Sequence, residues 1–221
     1  MPGVRMIVPY SAVFGGYDHP RRAPPGAVLF TDRAPSRKLG WTARVTSPPY
    51  PDNLARSNRY YKLQPHAHLD ADRVLYLDAS MTLKASPAGI LRAFQTEAGA
   101  DHAVFTLRHS LGHTVADEPA WVERKGITRA DVLARQVTRY RDVPPGTPTA
   151  EARLIIARLP DAVEFLDAWW AEVREFSHRD QVSFPFAWWV TRADVFLVPY
   201  AFARRFFTIR PHARPQLKEA T

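Results

Sequence analysis

The chain has 221 residues, 46% hydrophobic and 24% charged, which suits one soluble globular domain with a proper core and excludes a disordered or fibrous chain. It contains no cysteine, so disulfides, thiolate catalysis and zinc–thiolate sites are excluded and any metal must sit on oxygen and imidazole ligands. A net charge of +8, carried mostly by arginine, favours polyanionic partners such as nucleic acid, anionic lipid headgroups or phosphorylated substrates.

No apolar run approaches the roughly eighteen residues of a membrane span. The opening, "MPGVRMIVPYSAVFGGYD", has no charged leader followed by an apolar stretch and a small-residue cleavage site, so it reads as the first strand of the fold. A cytoplasmic location is expected, and the basic balance allows peripheral attachment to an anionic membrane face.

Short β-rich segments then alternate with helical patterns, which predicts an α/β sandwich around a mostly parallel sheet, one domain over residues 1–221. "VRMIVPY" (4–10), "AVLF" (27–30) and, more weakly, "GWTARV" (40–45) read as strands. A helix starts near Asp52, with Asp52 or Asn53 as cap, and places Arg56, Arg59, Lys62 and His66 on one face until Pro65 kinks or ends it. "RVLYLDA" (73–79) is the most persuasive strand, and "SPAGILRAF" follows as a helix with Ser86 as cap and Pro87 at the first helical position.

"HAVFTL" (102–107) is a further strand. "TRADVLARQVTRY" reads as a helix opened by a Thr128-x-x-Asp131 capping box. After the loop "VPPGTPTAE" come the strand "ARLIIARL" (152–159) and an amphipathic helix over 160–176. "SHRDQVSFPFAWW" starts another helix, "DVFLVP" (194–199) is a late strand, and the tail from about residue 203 is basic and partly irregular.

Several residues could carry chemistry. Asp78 ends a buried strand, where a carboxylate holds either a cation that bridges phosphates or a turn amide; the sequence leaves both open. Arg56, Arg59 and Lys62 would neutralise a departing diphosphate, or form a solvated helix face. Ser177-x-x-Asp180 fits a capping box, whereas Asp180 and Gln181 at a helix start would also suit sugar hydroxyls or a general base. Gly15 and Gly16 follow the first strand and permit close backbone approach to a nucleotide, beside Tyr17, which would stack on a base or pack in a loop. The pairs Trp169-Trp170 and Trp188-Trp189 read as packing. His212 in the basic tail is a surface residue or a distant metal ligand.

In order, "VFGGYD", "LFTD", "GW", "ARSNRYYKLQPH", "VLYLDASMTL", "AWW" and "RDQVSF" resemble the glycosyltransferase-like family of plant mucilage and turgor proteins and their bacterial members, from about residue 8 to about residue 190. "RVLYLD" is also similar to the family-eight retaining glycosyltransferases, where the strand ends in Asp-x-Asp. The resemblance implies a GT-A fold, a Rossmann-like α/β/α sandwich, and transfer of a sugar, a hexose by this likeness, from a nucleotide-diphosphate donor to a glycan or glycoconjugate. It implies Asp32 at the nucleoside, Arg59 and Lys62 on the diphosphate beside Arg56 of the same helix face, Asp78 with Ser80 and His212 around Mn2+ or Mg2+, and Asp180 and Gln181 near the acceptor. In an inverting reaction Asp180 or Glu151 would be the base; in a retaining one the leaving phosphate would assist. Ser80 stands where the family's second aspartate is expected, so a cation here has one carboxylate fewer. Rival readings are a basic nucleic-acid-binding module, against which the arginines are dispersed, and a non-catalytic member of the same fold.

Overall fold

The computed structural model describes residues 7–16, 18–35 and 39–210. β1 (Ile7–Val13), β2 (Val28–Thr31) and β3 (Thr42–Val45) pair in parallel, so β1 runs three residues past its expected end. α1 (Leu54–Leu63) is capped by the Asn53 side chain, which accepts from the Arg56 amide at 2.9 Å. Pro65 stops it, because the residue before a proline is pushed out of the helical region. A single 3₁₀ turn (Pro65–Ala67) follows, so His66 leaves the expected basic face and its Nε2 lies 3.2 Å from Asp167.

β4 (Arg73–Leu77) pairs in parallel with β1, and the short β5 (Met81–Leu83) comes after a tight turn. α2 (Pro87–Ala98) starts at the predicted Ser86 cap, whose Oγ accepts from the Gly89 amide at 3.1 Å. β6 (Val104–Arg108) leads into α3 (Asp117–Arg124), unforeseen in the sequence, and α4 (Ala130–Arg139). The expected capping box of α4 does not form: Thr128 is buried, and its hydroxyl lies 2.5 Å from Ser177 Oγ instead, while Asp131 pairs with Arg129.

β7 (Ala150–Arg158) runs antiparallel to both β4 and β6; α5 (Leu159–Glu175) and α6 (Asp180–Thr191) follow. β8 (Val195–Val198), α7 (Tyr200–Ala203) and β9 (Phe207–Ile209) complete the described chain, and β9 pairs with β5 in a separate two-stranded ladder. The main sheet has the order β3-β2-β1-β4-β7-β6-β8, parallel except for β7.

Both sheet faces are buried, which is why β4 reads as an unbroken apolar run. Val74 and Tyr76 face one way, into a core with Phe165, Trp169 and Phe184 from α5 and α6. Leu75 and Leu77 face the other way, against Ile90 and Phe94 of α2 and Phe207. Trp169 and Trp170 are both buried, in keeping with the packing role read for that pair. A smaller cluster, including Val122, Leu133, Tyr140 and Phe186, fastens α3 and α4 to α6. No helix among the described residues is long and apolar enough to cross a membrane.

Candidate active site at one edge of the sheet

Strand direction decides which residues can meet. The C-terminal ends of β1, β2, β4 and β6 point to one edge, where the antiparallel β7 begins. Gly15, Asp32, Asp78, Glu151 and His109 therefore line one rim, about 20 Å long at the usual strand spacing. That rim is where open α/β sheets bind ligands.

Asp78 stands just beyond β4. Its amide donates to the Arg153 carbonyl at 2.9 Å, which carries the β4–β7 pairing one step past the strand. Its Oδ1 accepts from the Tyr76 hydroxyl at 2.9 Å. Asp78 is half-buried, and the attraction between it and Arg153 joins β4 to β7 electrostatically.

Between Thr106 and Leu107 the β6–β7 register jumps from Ile155 to Glu151, a bulge of the kind that re-aims side chains beside active sites. The Thr106 hydroxyl donates to the Leu154 carbonyl inside it, at 3.0 Å. Glu151 and Arg153 then meet, with Nε 2.6 Å from Oε1, while Ser110 donates to the other Glu151 oxygen at 3.0 Å. Burial alone would raise the Glu151 carboxyl, but the Arg153 guanidinium beside it reverses this and holds it below its ordinary value.

The basic face of α1 is not solvated. Lys62 Nζ lies 2.5 Å from Asp180 Oδ2 and 4.9 Å from the centre of the Tyr76 ring, with Lys62 and Asp180 side chains both 4% exposed. Arg59 Nε is 3.8 Å from the same oxygen. Arg56 donates to the carbonyl of Phe176, which ends α5, at 2.7 Å. Burial would raise Asp180, but the charges of Lys62 and then Arg59 hold it well below the carboxylate range. Arg179, not Ser177, precedes α6, and Asp180 is its first residue, so the Ser177-x-x-Asp180 capping box does not form; Trp169 Nε1 donates to the Asp180 carbonyl at 2.8 Å. Gln181 is buried, and its carbonyl accepts from the Thr149 hydroxyl.

At the far end of the rim Gly15 and Gly16 take φ of +77° and +60°, a left-handed turn that other residues enter at a cost. The turn aims the Gly15 amide at Asp32 Oδ2, 3.0 Å away, while the buried Asp32 Oδ1 has no hydrogen-bond partner among the described residues. Tyr17 and His212 lie outside the described residues. Arg210, two positions before His212, donates its amide to the Ser80 carbonyl at 3.1 Å.

The family resemblance implies a cation at Asp78. Within the described residues the donors are one carboxylate, with an oxygen engaged by Tyr76 and a guanidinium nearby, and the buried Ser80 hydroxyl. That donor set supplies one carboxylate, so a hard cation here would draw its remaining oxygens from the diphosphate of the donor and from water.

Sequence reasoning missed Tyr76, Arg153, Arg179 and the group His109, His113 and Glu118. Arg179 Nε lies 3.2 Å from Glu118 Oε1, and its charge also acts on Asp180. His109 is 3.7 Å from Glu118 and 3.8 Å from Glu151. Burial lowers the His109 imidazole against the pull of Glu118 and Glu151. Acidic and basic groups thus alternate from Asp78 through Arg153, Glu151, His109, Glu118, Arg179 and Asp180 to Lys62. The one local signal was "HSLGH" directly after a strand.

A Rossmann-like sandwich with one antiparallel strand and a charged rim at its strand ends defines a GT-A glycosyltransferase-like protein. The model of the "TOD1/MUCI70, glycosyltransferase-like domain" matches residues 39–203, and the chain belongs to that family. No curated protein matches the sequence. Among solved structures, the apo WbbM bifunctional glycosyltransferase superposes with a TM-score of 0.55 at 10% identity, over 90% of this chain but only 39% of that one. Mouse xyloside xylosyltransferase 1, also apo, is similar at a TM-score of 0.46 and 8% identity, over 88% of this chain and 84% of that one.

Proposed function

We propose that the protein transfers a glycosyl unit from a nucleotide-diphosphate sugar to a hydroxyl of a glycan or glycoconjugate. The observation that carries this is the joining of Asp78, Arg153 and Glu151 across the β4–β7 junction, at the ligand-binding edge of a GT-A sheet. Asp32 Oδ1 would accept from the nucleoside, and the Gly15–Gly16 turn lets the backbone come close to it. Arg153 would stabilise the charge that develops on the diphosphate as it leaves, and Lys62 and Arg59 would add to the positive potential from their place beside Asp180. Asp78 would accept from hydroxyls of the donor sugar.

Glu151 and Asp180 are both made more acidic than an ordinary carboxyl by basic partners, which makes each a weak base at neutral pH. That favours the retaining course. The bond from the anomeric carbon to the phosphate oxygen breaks, the acceptor oxygen bonds to the same carbon, and the acceptor proton passes to the departing phosphate. Gln181 and Asp180 would then position the sugars.

The test is release of nucleoside diphosphate from a panel of nucleotide sugars, with and without Mn2+, together with thermal shift by each nucleotide. One donor should stabilise the chain and turn over, and Asp78→Asn should abolish turnover. Stabilisation by nucleic acid alone, fading steeply with salt, would replace this reading with the basic-module one.

A further inference from the structure

The segment "HSLGHTVADE" (109–118) leaves the end of β6 and folds back on itself. Gly112 closes the turn: its amide donates to the His109 carbonyl at 2.9 Å, and its φ is +70°. A Cβ at this position would meet nothing within 4 Å, so conformation and not space calls for glycine. The turn stacks the His113 ring on the His109 ring, with centres 4.4 Å apart and planes 21° apart. Asp117 then accepts from the Thr114 amide and hydroxyl, at 3.0 and 2.7 Å, and so orients the first turn of α3, which returns Glu118 beneath the two imidazoles.

One carboxylate oxygen, Glu118 Oε2, faces both rings, 2.7 Å from His113 Nδ1 and 3.7 Å from His109 Nε2. The three groups offer donor atoms that all lie within 4.8 Å of one another. A tetrahedral ion with bonds of about 2.1 Å needs ligand atoms about 3.4 Å apart, so the His113–Glu118 contact must open while His109 closes on Glu118 and His113, each shift less than about 1.5 Å. The side chains are 6%, 15% and 1% exposed, in the order His109, His113, Glu118. The outer layer is also present. Arg179 binds the other Glu118 oxygen at 3.2 Å, a partner of the kind that fixes ligand orientation in metal sites. Glu151 Oε2 lies 3.8 Å from His109 Nε2, on the side of that ring that would face the ion. Binding through His109 Nε2 places that ring's proton on Nδ1 and gives up one long contact, 3.4 Å, from the Leu111 amide.

We propose that His109, His113 and Glu118 bind one divalent transition-metal ion of the imidazole-preferring class, as zinc and cobalt are, at a site separate from Asp78. The His-x3-His spacing supplies two ligands from one turn, and Glu118 supplies the third.

The experiment is titration of the chelator-treated, untagged full chain with Zn2+ and Co2+, followed by calorimetry, melting temperature and cobalt visible absorption. One ion per chain should bind, raise the melting temperature and give cobalt bands of a nitrogen–oxygen site. His113→Ala should weaken binding by more than about 100-fold, beyond the loss of an outer partner, His113→Cys should restore zinc binding, and Asp78→Asn should leave it unchanged. Metal-free melting of each variant separates lost binding from lost folding. No one-to-one binding, binding that survives His113→Ala, or binding abolished by Asp78→Asn would each overturn the proposal. The readout is the ion, so the result is independent of whether the chain transfers sugar.

Discussion

Lys62 and Asp180, 118 positions apart in the chain, form a buried ion pair of 2.5 Å with the Tyr76 ring beneath the ammonium. Taking two charges out of water is expensive, and their attraction offsets that only while both are present. Lys62→Met and Asp180→Asn should each destabilise the fold by about 3–5 kcal/mol, because each strands the other partner. Lys62→Met with Asp180→Leu should lose less than the sum of the two single changes. Urea midpoints at neutral pH measure all three.

The same pair predicts an acid limb in the stability profile. Asp180 binds its proton more weakly in the folded chain than at its ordinary value of 3.8. Its stabilisation is therefore complete above that value and is lost as pH falls below it. The urea midpoint should decline steadily between about pH 5 and pH 2. In Asp180→Asn the decline should be shallower, leaving the share of the other carboxyls held low, Asp101, Asp117, Asp131, Glu151 and Asp194.

Tyr76 and Asp78 separate chemistry from folding. Asp78→Asn should lower glycosyl transfer by about 100-fold or more, the scale seen when one transition-state partner is removed. Tyr76→Phe deletes only the hydroxyl that holds Asp78 and should cost about fivefold, the worth of one hydrogen bond. Both are read from kcat/KM for nucleoside diphosphate release. Equal activity in Asp78→Asn would remove Asp78 from the site.

Two sequence signals of the same type should behave differently. Asn53→Ala removes a cap that forms, and should destabilise by about 1 kcal/mol. Asp131→Ala removes the acidic member of a capping box that does not form, from an exposed ion pair, and should change the urea midpoint little.

Trp169 is fully buried against Phe165 and Phe184. Trp169→Ala should cost about 3–5 kcal/mol through the cavity it leaves. Because its indole also donates to the Asp180 carbonyl, Trp169→Phe should still perturb the start of α6, visible as loss of protection of α6 amides in hydrogen exchange.

Much of the frame was legible in the residues. The apolar run at 73–77 marked a strand covered on both faces, and Ser86-Pro87 and Asn53 marked helix starts, because burial and capping act over a few neighbouring residues. The family resemblance rested on short blocks of this kind. Local rules failed where a polar side chain had a distant partner. Thr128 and Asp180 both fit capping boxes, yet one hydroxyl goes to Ser177 and the other side chain to Lys62. The strands β5 and β9 are three residues each, too short for periodicity to show.

By itself, then, the sequence determined the layered α/β frame, the helix starts at Asn53 and Ser86, and the strand that presents Asp78. Only the tertiary structure decided which charges meet. The antiparallel entry of β7 sets Arg153 beside Asp78, its bulge sets Glu151 beside Arg153 and Ser110, and the fold-back at Gly112 sets His113 over His109 and Glu118. Strand order and register are set by packing the whole sheet at once, and no run of neighbouring residues encodes them.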